Sequence, residues 1–138
     1  MDGADVDLER GERGRRIAVS RVVRADREAA WDLLTDTARW PEWGPSVRAV
    51  DCDRRHIAAG TTGRVQIPGG LWIPFEITSS ENFRWTWRVA RVPATGHRVE
   101  MAREGCRVVF ELSPVAAPYV PVCTRALGRI ASLLEAQG

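Results

Sequence analysis

Three consecutive segments between residues 83 and 112 alternate apolar and polar side chains with a period of two. Their sequences are FRWTWRVARV, HRVEMAR and CRVVFEL. Successive side chains of a β-strand point to opposite faces, so each segment presents one apolar face and one face of mixed charge. This pattern is typical of an antiparallel sheet with one side on the core and the other in water. We expect the arginines and glutamates of the solvent-facing side to form weak cross-strand pairs.

The apolar face of these three segments carries large rings and a histidine. A buried indole N–H needs a hydrogen-bond partner, and this mixture suits a cavity better than a tightly filled core. The alternation assigns to this face Trp85, Trp87, His97, Val99, Met101 and Phe110.

Four further segments are predicted strands, which makes seven in all. They are IAVSRVVR, VRAVDCDRR, TTGRVQI and LWIPFEITSS. The later connections, at residues 68–70, 81–82, 93–96 and 104–105, are short enough for antiparallel hairpins. Pro74 removes a ladder hydrogen bond, and a bulge there would reverse the facing of the residues after it. We expect Phe75 and Ile77 on the inner face, with the opposite parity left open.

Two helices are indicated, and a broken segment follows the first of them. Asp26 can cap a helix over REAAWDLLTD, and the proline and glycine residues of WPEWGPSV then allow no more than a one-turn helix near residues 38–43. The closing helix is amphipathic, although Gly128 weakens it by about 1 kcal/mol relative to alanine. Its apolar stripe consists of Cys123, Leu127, Ile130 and Leu134.

The composition is that of one globular domain. Residues 1–15 are polar and aperiodic and predict a disordered tail, so the domain is expected to span residues 16–138. The chain has no apolar run of the roughly 20 residues that a membrane span needs, and we expect a cytoplasmic monomer or homodimer. A net charge of +2 without a basic stripe argues against nucleic acid.

Cofactor and metal motifs are not found in the sequence. The three cysteines are far apart, which argues against a disulfide framework and a cysteine-based metal site. The sequence contains no phosphate loop, no zinc-protease motif and no paired-carboxylate signature. We therefore expect neither a cofactor nor a metal.

The element order and several motifs resemble the START-like (SRPBCC) superfamily, which includes polyketide cyclases, lipid-transfer domains and birch-pollen-allergen-like proteins. The resemblance covers about residues 16 to 137, through IAVSRVV, DREAAWDLLTD, WPEWGPSVRAVD, AGTTGRVQI, RWTWRVA, TGHRVEM and GCRVVFEL. It implies an α+β helix-grip fold, in which a curved seven-stranded antiparallel sheet wraps around a long C-terminal helix. Two short helices would lie between strands 1 and 2, with Trp40 and Trp43 filling a corner beside the sheet.

The resemblance also implies a pocket between the sheet and the last helix. Its expected lining is Phe75, Ile77, Trp85, Trp87, His97, Val99, Met101, Phe110, Leu127 and Ile130.

Three functions are compatible with such a domain, because a fold does not determine a function. The first is the binding of a small hydrophobic or aromatic molecule, polyketide- or lipid-like. The second is a polyketide cyclase or dehydratase in which His97, titrating near neutral pH, exchanges a proton as the catalytic residue. A solvated or structurally hydrogen-bonded histidine is the alternative role for His97. The third is an interaction module, which an exposed apolar patch would favour.

Overall fold

The computed structural model describes residues 3–136 and consists of one eight-stranded antiparallel sheet and three α-helices, an α+β arrangement that fits a helix-grip fold. Residues 37–39 and 114–119 form 3₁₀ turns. The elements are β1 (Asp5–Gly11), β2 (Gly14–Val23), α1 (Arg27–Thr35), α2 (Trp40–Trp43), β3 (Ala49–Cys52), β4 (Thr62–Gln66), β5 (Trp72–Glu81), β6 (Arg84–Val89), β7 (Val92–Ala102), β8 (Gly105–Leu112) and α3 (Val120–Glu135).

The sheet has the order β1-β2-β8-β7-β6-β5-β4-β3. The last six strands form a meander, and the chain reaches it from β2 through α1 and α2. Phe75 and Ile77 are both buried, because the ladder stays in register past Pro74 and shifts only after Ile77. Helix α3 packs on β2 through a buried face. That face consists of Cys123, Ala126, Leu127, Ile130, Ala131 and Leu134.

The prediction of seven strands was wrong, because part of the expected disordered tail forms β1. Asp5–Gly11 pairs along its whole length with β2. The alternation is present in DVDLERG, but Val6 and Leu8 remain 54% and 63% exposed, so the strand lacks the buried apolar face that signals a strand in a sequence. Met1 and Asp2, also assigned to the tail, lie outside the described residues, as do residues 137 and 138 of the expected domain.

A charge network on the outer face holds β1 to the rest of the sheet. Glu9 on β1 accepts hydrogen bonds from Arg16 and from Arg98, both at 2.8 Å. Glu111 on β8 is only 4% exposed and lies 2.6 Å from Arg98 and 2.7 Å from Arg84. Burial alone would raise the pKa of Glu111, but these two arginines outweigh it and lower the pKa. The expected cross-strand pairs are therefore present, and one of their carboxylates is buried.

The third hairpin differs from its prediction. We expected its turn at residues 93–96, but the turn is Ala90–Arg91, two residues with positive φ of 53° and 68°. Strand β7 therefore starts at Val92 and includes Thr95. Gly96 is needed inside this strand because an added Cβ would lie 2.6 Å from Glu111 Oε1.

None of the helices within residues 3–136 combines the length and the hydropathy that a membrane crossing requires.

Gly128 provides a test of the packing of α3. An added Cβ would meet only Arg21 Nη1, at 3.8 Å, so Gly128→Ala should raise the free energy of unfolding by about 1 kcal/mol in urea titrations. Gly63→Ala is the matched control, because its Cβ would lie 2.7 Å from the Asp51 carbonyl oxygen and 2.9 Å from the Phe75 ring. We expect this control to be destabilised. A loss of stability in Gly128→Ala would contradict the described packing of α3.

Candidate functional site

The carboxyl end of α1 is capped by two tryptophan side chains. The last carbonyl groups of a helix have no partner within the helix and must find one elsewhere. Trp40 Nε1 donates to the Leu34 carbonyl at 2.9 Å, and Trp43 Nε1 donates to the Leu33 carbonyl at 3.1 Å. Both indoles are almost fully buried. The two tryptophans thus satisfy α1 and fix α2 beneath it.

The remaining carbonyls at this end of α1 are satisfied by backbone groups. The Asp32 carbonyl accepts from the Asp36 N–H at 3.0 Å, and the Thr35 carbonyl accepts from the Ile57 N–H at 3.1 Å. Helix α2 is short because Pro41 suits only a first turn and Gly44 ends it. The single turn of WPEW thus places both of its tryptophans where their indole N–H groups bond the free carbonyls of α1.

Three rings form a continuous stack between α2 and the sheet. Trp40 lies on Trp85 with ring centroids 5.3 Å apart and planes 4° apart. Trp85 lies in turn on His97, with centroids 3.9 Å apart and an angle of 18°. Trp85 and His97 are direct neighbours across β6 and β7, so the sheet register creates this contact. We call Trp40, Trp85 and His97 the aromatic stack.

Thr95 connects the aromatic stack to Trp87. Its hydroxyl lies 3.2 Å from Trp87 Nε1 and 2.9 Å from His97 Nε2. Thr95 was not among the predicted site residues, because the sequence pattern placed it in a turn. Its position two residues before His97, on the same face of a longer β7, was the signal that could have identified it.

His97 is only 3% exposed, and this burial determines its charge. Burial lowers the pKa of His97 from its usual 6.5 to about 3, because the imidazolium would lose its hydration among the rings. The Trp85 backbone and the Glu111 carboxylate act in the opposite direction but do not offset the burial. His97 is therefore a neutral imidazole at physiological pH.

Two buried polar atoms beside the cavity lack a partner. Within residues 3–136, no protein atom is in hydrogen-bond geometry with Trp85 Nε1 or with His97 Nδ1; the Trp85 backbone is near enough to the His97 ring to affect its pKa but does not complete a bond to Nδ1. Unpaired buried polar atoms are rare in native proteins, and each costs about 1 to 3 kcal/mol. These two atoms therefore identify a place where a water or a ligand would supply the missing bonds.

The cavity next to these atoms lies between the sheet, α2 and α3. Its volume is about 40 Å³, which is enough for one or a few waters. Its lining contains neither Arg, Asp nor Glu. The lining residues are Trp40, Trp43, Gly44, Pro45, Ser46, Val47, Trp85, Trp87, Thr95, His97, Phe110, Tyr119, Val122, Cys123 and Ala126.

Four of the ten predicted ligand-binding residues line this cavity: Trp85, Trp87, His97 and Phe110. Five others are buried in the core without lining it, namely Phe75, Ile77, Val99, Leu127 and Ile130. The expectation for Met101 was wrong. Alternation places it on the same face as Val99, but it is 70% exposed because the core does not extend to that end of β7.

One hydrogen bond joins the two segments on the outer side of the cavity. Ser46 Oγ and Tyr119 Oη lie 2.6 Å apart, which links the loop after α2 to the residue before α3. Both residues line the cavity, and Tyr119 is 38% exposed.

A second concavity lies outside the core, where α1 begins beside the β5–β6 turn. This open groove has a volume of about 490 Å³. The Arg27 guanidinium lies 3.8 Å from the centre of the Phe83 ring, and Trp31 meets the same ring edge-on. The Arg27 guanidinium and the two rings of the groove thus contact one another, although Arg27 Nε is buried without a hydrogen-bond partner among the described residues.

One cluster in the described part of the chain has the residue types of a metal site. Single ligand atoms of Asp32, Asp36 and His56 lie within 4.8 Å of one another. However, Asp36 accepts three hydrogen bonds from Arg55, which lower the pKa of this carboxyl, and Asp32 bonds His56 at 2.9 Å. These bonds tie the loop before β4 to the end of α1 and occupy the groups that a metal would need.

Comparisons with known proteins agree with this architecture. A family model described as "Polyketide cyclase / dehydrase and lipid transport" matches residues 15–135. No curated protein matches the sequence.

Several solved structures share the fold. A protein from Rhodobacter sphaeroides is 17% identical with a TM-score of 0.70, over 97% of this chain and 100% of that one. MLL2253 from Mesorhizobium loti is 18% identical with a TM-score of 0.69, over 90% and 99% of the two chains. Ms6760 from Mycobacterium smegmatis is 15% identical with a TM-score of 0.64, over 97% and 100%. At these identities the likeness shows the fold alone.

The buried, neutral His97 predicts a pH dependence of stability. The unfolded chain takes up a proton at this residue below about pH 6.5, whereas the folded chain does so only near pH 3. The free energy of unfolding should therefore fall as the pH drops from 7 to 5, above the range in which carboxylates titrate. In His97→Gln, denaturant titrations should show a smaller fall over this range.

A direct check on the wild-type protein is NMR of its histidine rings. We expect no titration of the His97 ring between pH 8 and pH 5. A midpoint near 6.5 would show that this ring is hydrated and would contradict its described burial.

Proposed function

Because the chain belongs to the polyketide cyclase / dehydrase and lipid transport family, within the START-like (SRPBCC) superfamily, we propose that it binds a small hydrophobic or aromatic molecule, polyketide- or lipid-like. The proposed site is the cavity between the sheet and α3. The observation that carries the proposal is the pair of unsatisfied polar atoms in an otherwise aromatic, uncharged lining. A mostly apolar concavity with a few polar groups is the usual form of a ligand site.

Ligand entry requires this cavity to enlarge. Ligand sites for small molecules usually measure about 300 to 1,000 Å³, well above the present volume of about 40 Å³. The segment after α2 and the residues around Tyr119 are the parts of the wall that would move, since one hydrogen bond joins their side chains. We take the described structure as the closed state.

The energetics allow such an opening. Burial of about 200 Å² of apolar ligand surface would contribute about 5 kcal/mol. Loss of the Ser46–Tyr119 hydrogen bond would cost about 1 kcal/mol net, because both groups would then bond to water. The remaining ~4 kcal/mol corresponds to a dissociation constant of only about 1 mM. Tighter binding therefore requires a ligand that buries more apolar surface or also bonds the unsatisfied polar atoms.

Binding is favoured here over catalysis. With a pKa of about 3, His97 is a weak base and is not in the imidazolium form that acts as a general acid at neutral pH, so it is poorly matched to general acid–base chemistry. The assignment of His97 as a catalytic residue of a cyclase or dehydratase stays a prediction. The cytoplasmic location, the monomeric or homodimeric state and the lack of a nucleic-acid partner also stay predictions.

A cavity-filling variant tests the proposed site. Ala126 lines the cavity, whereas Ala131 is equally buried on α3 without lining it. A neutral naphthylamine probe should gain fluorescence on binding, and Ala126→Val should weaken its affinity by about tenfold or more because the added methyl groups occupy the site. Ala131→Val, as the matched control, should change the affinity little. Equal affinities for the two variants, or no binding by the wild-type protein, would refute the proposed site.

Opening at the proposed mouth is tested with the same probe. Tyr119→Phe keeps the ring but removes the hydroxyl that bonds Ser46. We expect faster association of the probe in stopped-flow measurements. An unchanged association rate would mean that the ligand enters elsewhere.

A further inference from the structure

Trp85 Nε1 can only donate a hydrogen bond, whereas His97 Nδ1 donates or accepts depending on which ring nitrogen carries the proton. An indole Nε1–H only donates, so Trp87 donates to the Thr95 hydroxyl oxygen at 3.2 Å. The hydroxyl proton can then be donated to His97 Nε2 at 2.9 Å. In the reverse arrangement, with Nε2 donating to the same oxygen, the Thr95 proton would also have no acceptor among the residues that the structure describes, so we assign the first arrangement. A neutral imidazole that accepts at Nε2 carries its proton on Nδ1. Both unsatisfied atoms, Trp85 Nε1 and His97 Nδ1, are therefore donors.

The donors belong to neighbouring rings on one wall. Trp85 and His97 are paired across β6 and β7, and their rings stack 3.9 Å apart. A carbonyl oxygen has two lone pairs, and an ether or hydroxyl oxygen also accepts. One ligand bearing one or two such oxygens could thus satisfy both donors.

The rest of the lining is neutral. Burial raises the pKa of the Cys123 thiol to about 12, and it also raises the pKa of the Tyr119 phenol, so neither group is ionised near pH 7. The charged network around Glu111 lies on the other face of the sheet. A carboxylate or an ammonium group in the cavity would lose its hydration without a partner of opposite charge, at a large cost.

We infer that Trp85 and His97 are the polar recognition pair of this cavity, and that the ligand is an uncharged molecule that presents an oxygen acceptor on an apolar, preferably aromatic, body. This inference rests on the proposed function and narrows it. It excludes free fatty acids and other carboxylates as the preferred ligands, and it separates the indole of Trp85, which recognises the ligand, from that of Trp87, which orients Thr95.

Three probes of nearly the same shape test the inference: 2-acetylnaphthalene, 2-isopropenylnaphthalene and 2-naphthoate. The first presents a carbonyl oxygen, the second replaces this oxygen with a CH₂ group, and the third carries a charge. In competition with the neutral fluorescent probe, the ketone should bind about tenfold more tightly than the hydrocarbon. The carboxylate should bind about a hundredfold more weakly than the ketone.

Two tryptophan variants assign the effect to the proposed donor. Trp85→Phe keeps an aromatic ring but removes the free N–H, so the preference for the ketone over the hydrocarbon should fall to about twofold or less. Trp87→Phe removes an N–H that is already bonded to Thr95 and should keep most of the preference. Because each variant is judged by a ratio of two affinities, a general loss of packing does not imitate the result.

The outcomes separate the inference from the proposed function. If the hydrocarbon binds as well as the ketone, or if the carboxylate binds best, the inference is wrong and the apolar site stands. If Trp85→Phe keeps the full preference for the ketone, Trp85 is not the recognising donor. If none of the three probes binds, the proposed function fails and the inference fails with it. Should Trp85→Phe not fold, the ranking of the three probes on the wild-type protein decides.

Discussion

The hydrogen bond from the Trp40 indole to the Leu34 carbonyl is the contact on which the site depends. It satisfies one free carbonyl at the end of α1 and, at the same time, fixes the ring that lies flat on Trp85. Trp85 in turn covers His97, so α1, α2, β6 and β7 are joined through one column of rings. The position of the His97 ring beside the cavity follows from this column, because His97 is held between Trp85 and the Thr95 hydroxyl.

The two faces of the sheet differ in how a buried ionisable side chain is accommodated. On the outer face, the buried Glu111 carboxylate keeps its charge because Arg98 on the adjacent β7 and Arg84 on β6 bond it directly. On the inner face, His97 has no such partner and gives up its charge instead. The ion pairs around Glu111 thus lie on the outer face, and the cavity on the inner face is lined by uncharged groups. The proposed preference for uncharged acceptors rests on this separation.

The sequence predicted the buried face of an element correctly where a single periodicity determined it. Period-two alternation predicted the inward rings of β6, β7 and β8, and helical spacing predicted the buried face of α3. The prediction that Met101 is buried was wrong: alternation assigned it to the inward face, but the core does not cover that end of β7. The sequence pattern also failed to predict β1, whose stability comes from backbone pairing and from Glu9 ion pairs rather than from an apolar face.

The site itself was only partly predictable, because it is assembled by contacts between distant segments. Trp85 and His97 were on the expected face, but their stacking depends on a register that the misplaced third turn obscured. The same error placed Thr95 in the turn, so its contact with His97 was not predicted. The hydrogen bonds of Trp40 and Trp43 to α1 could not be predicted from local patterns, since a helix terminus does not specify which side chains will satisfy its carbonyls.

The six tryptophans themselves allow the most direct test of where a ligand binds. Trp85 borders the cavity, Trp31 borders the open groove, and Trp72 lies on the surface under Arg64. In protein labelled with ¹⁵N-tryptophan, titration with 2-acetylnaphthalene should shift the Trp85 indole signal downfield and leave the Trp31 and Trp72 signals in place. A shift at Trp31 with Trp85 unchanged would place the ligand in the outer groove and contradict the account.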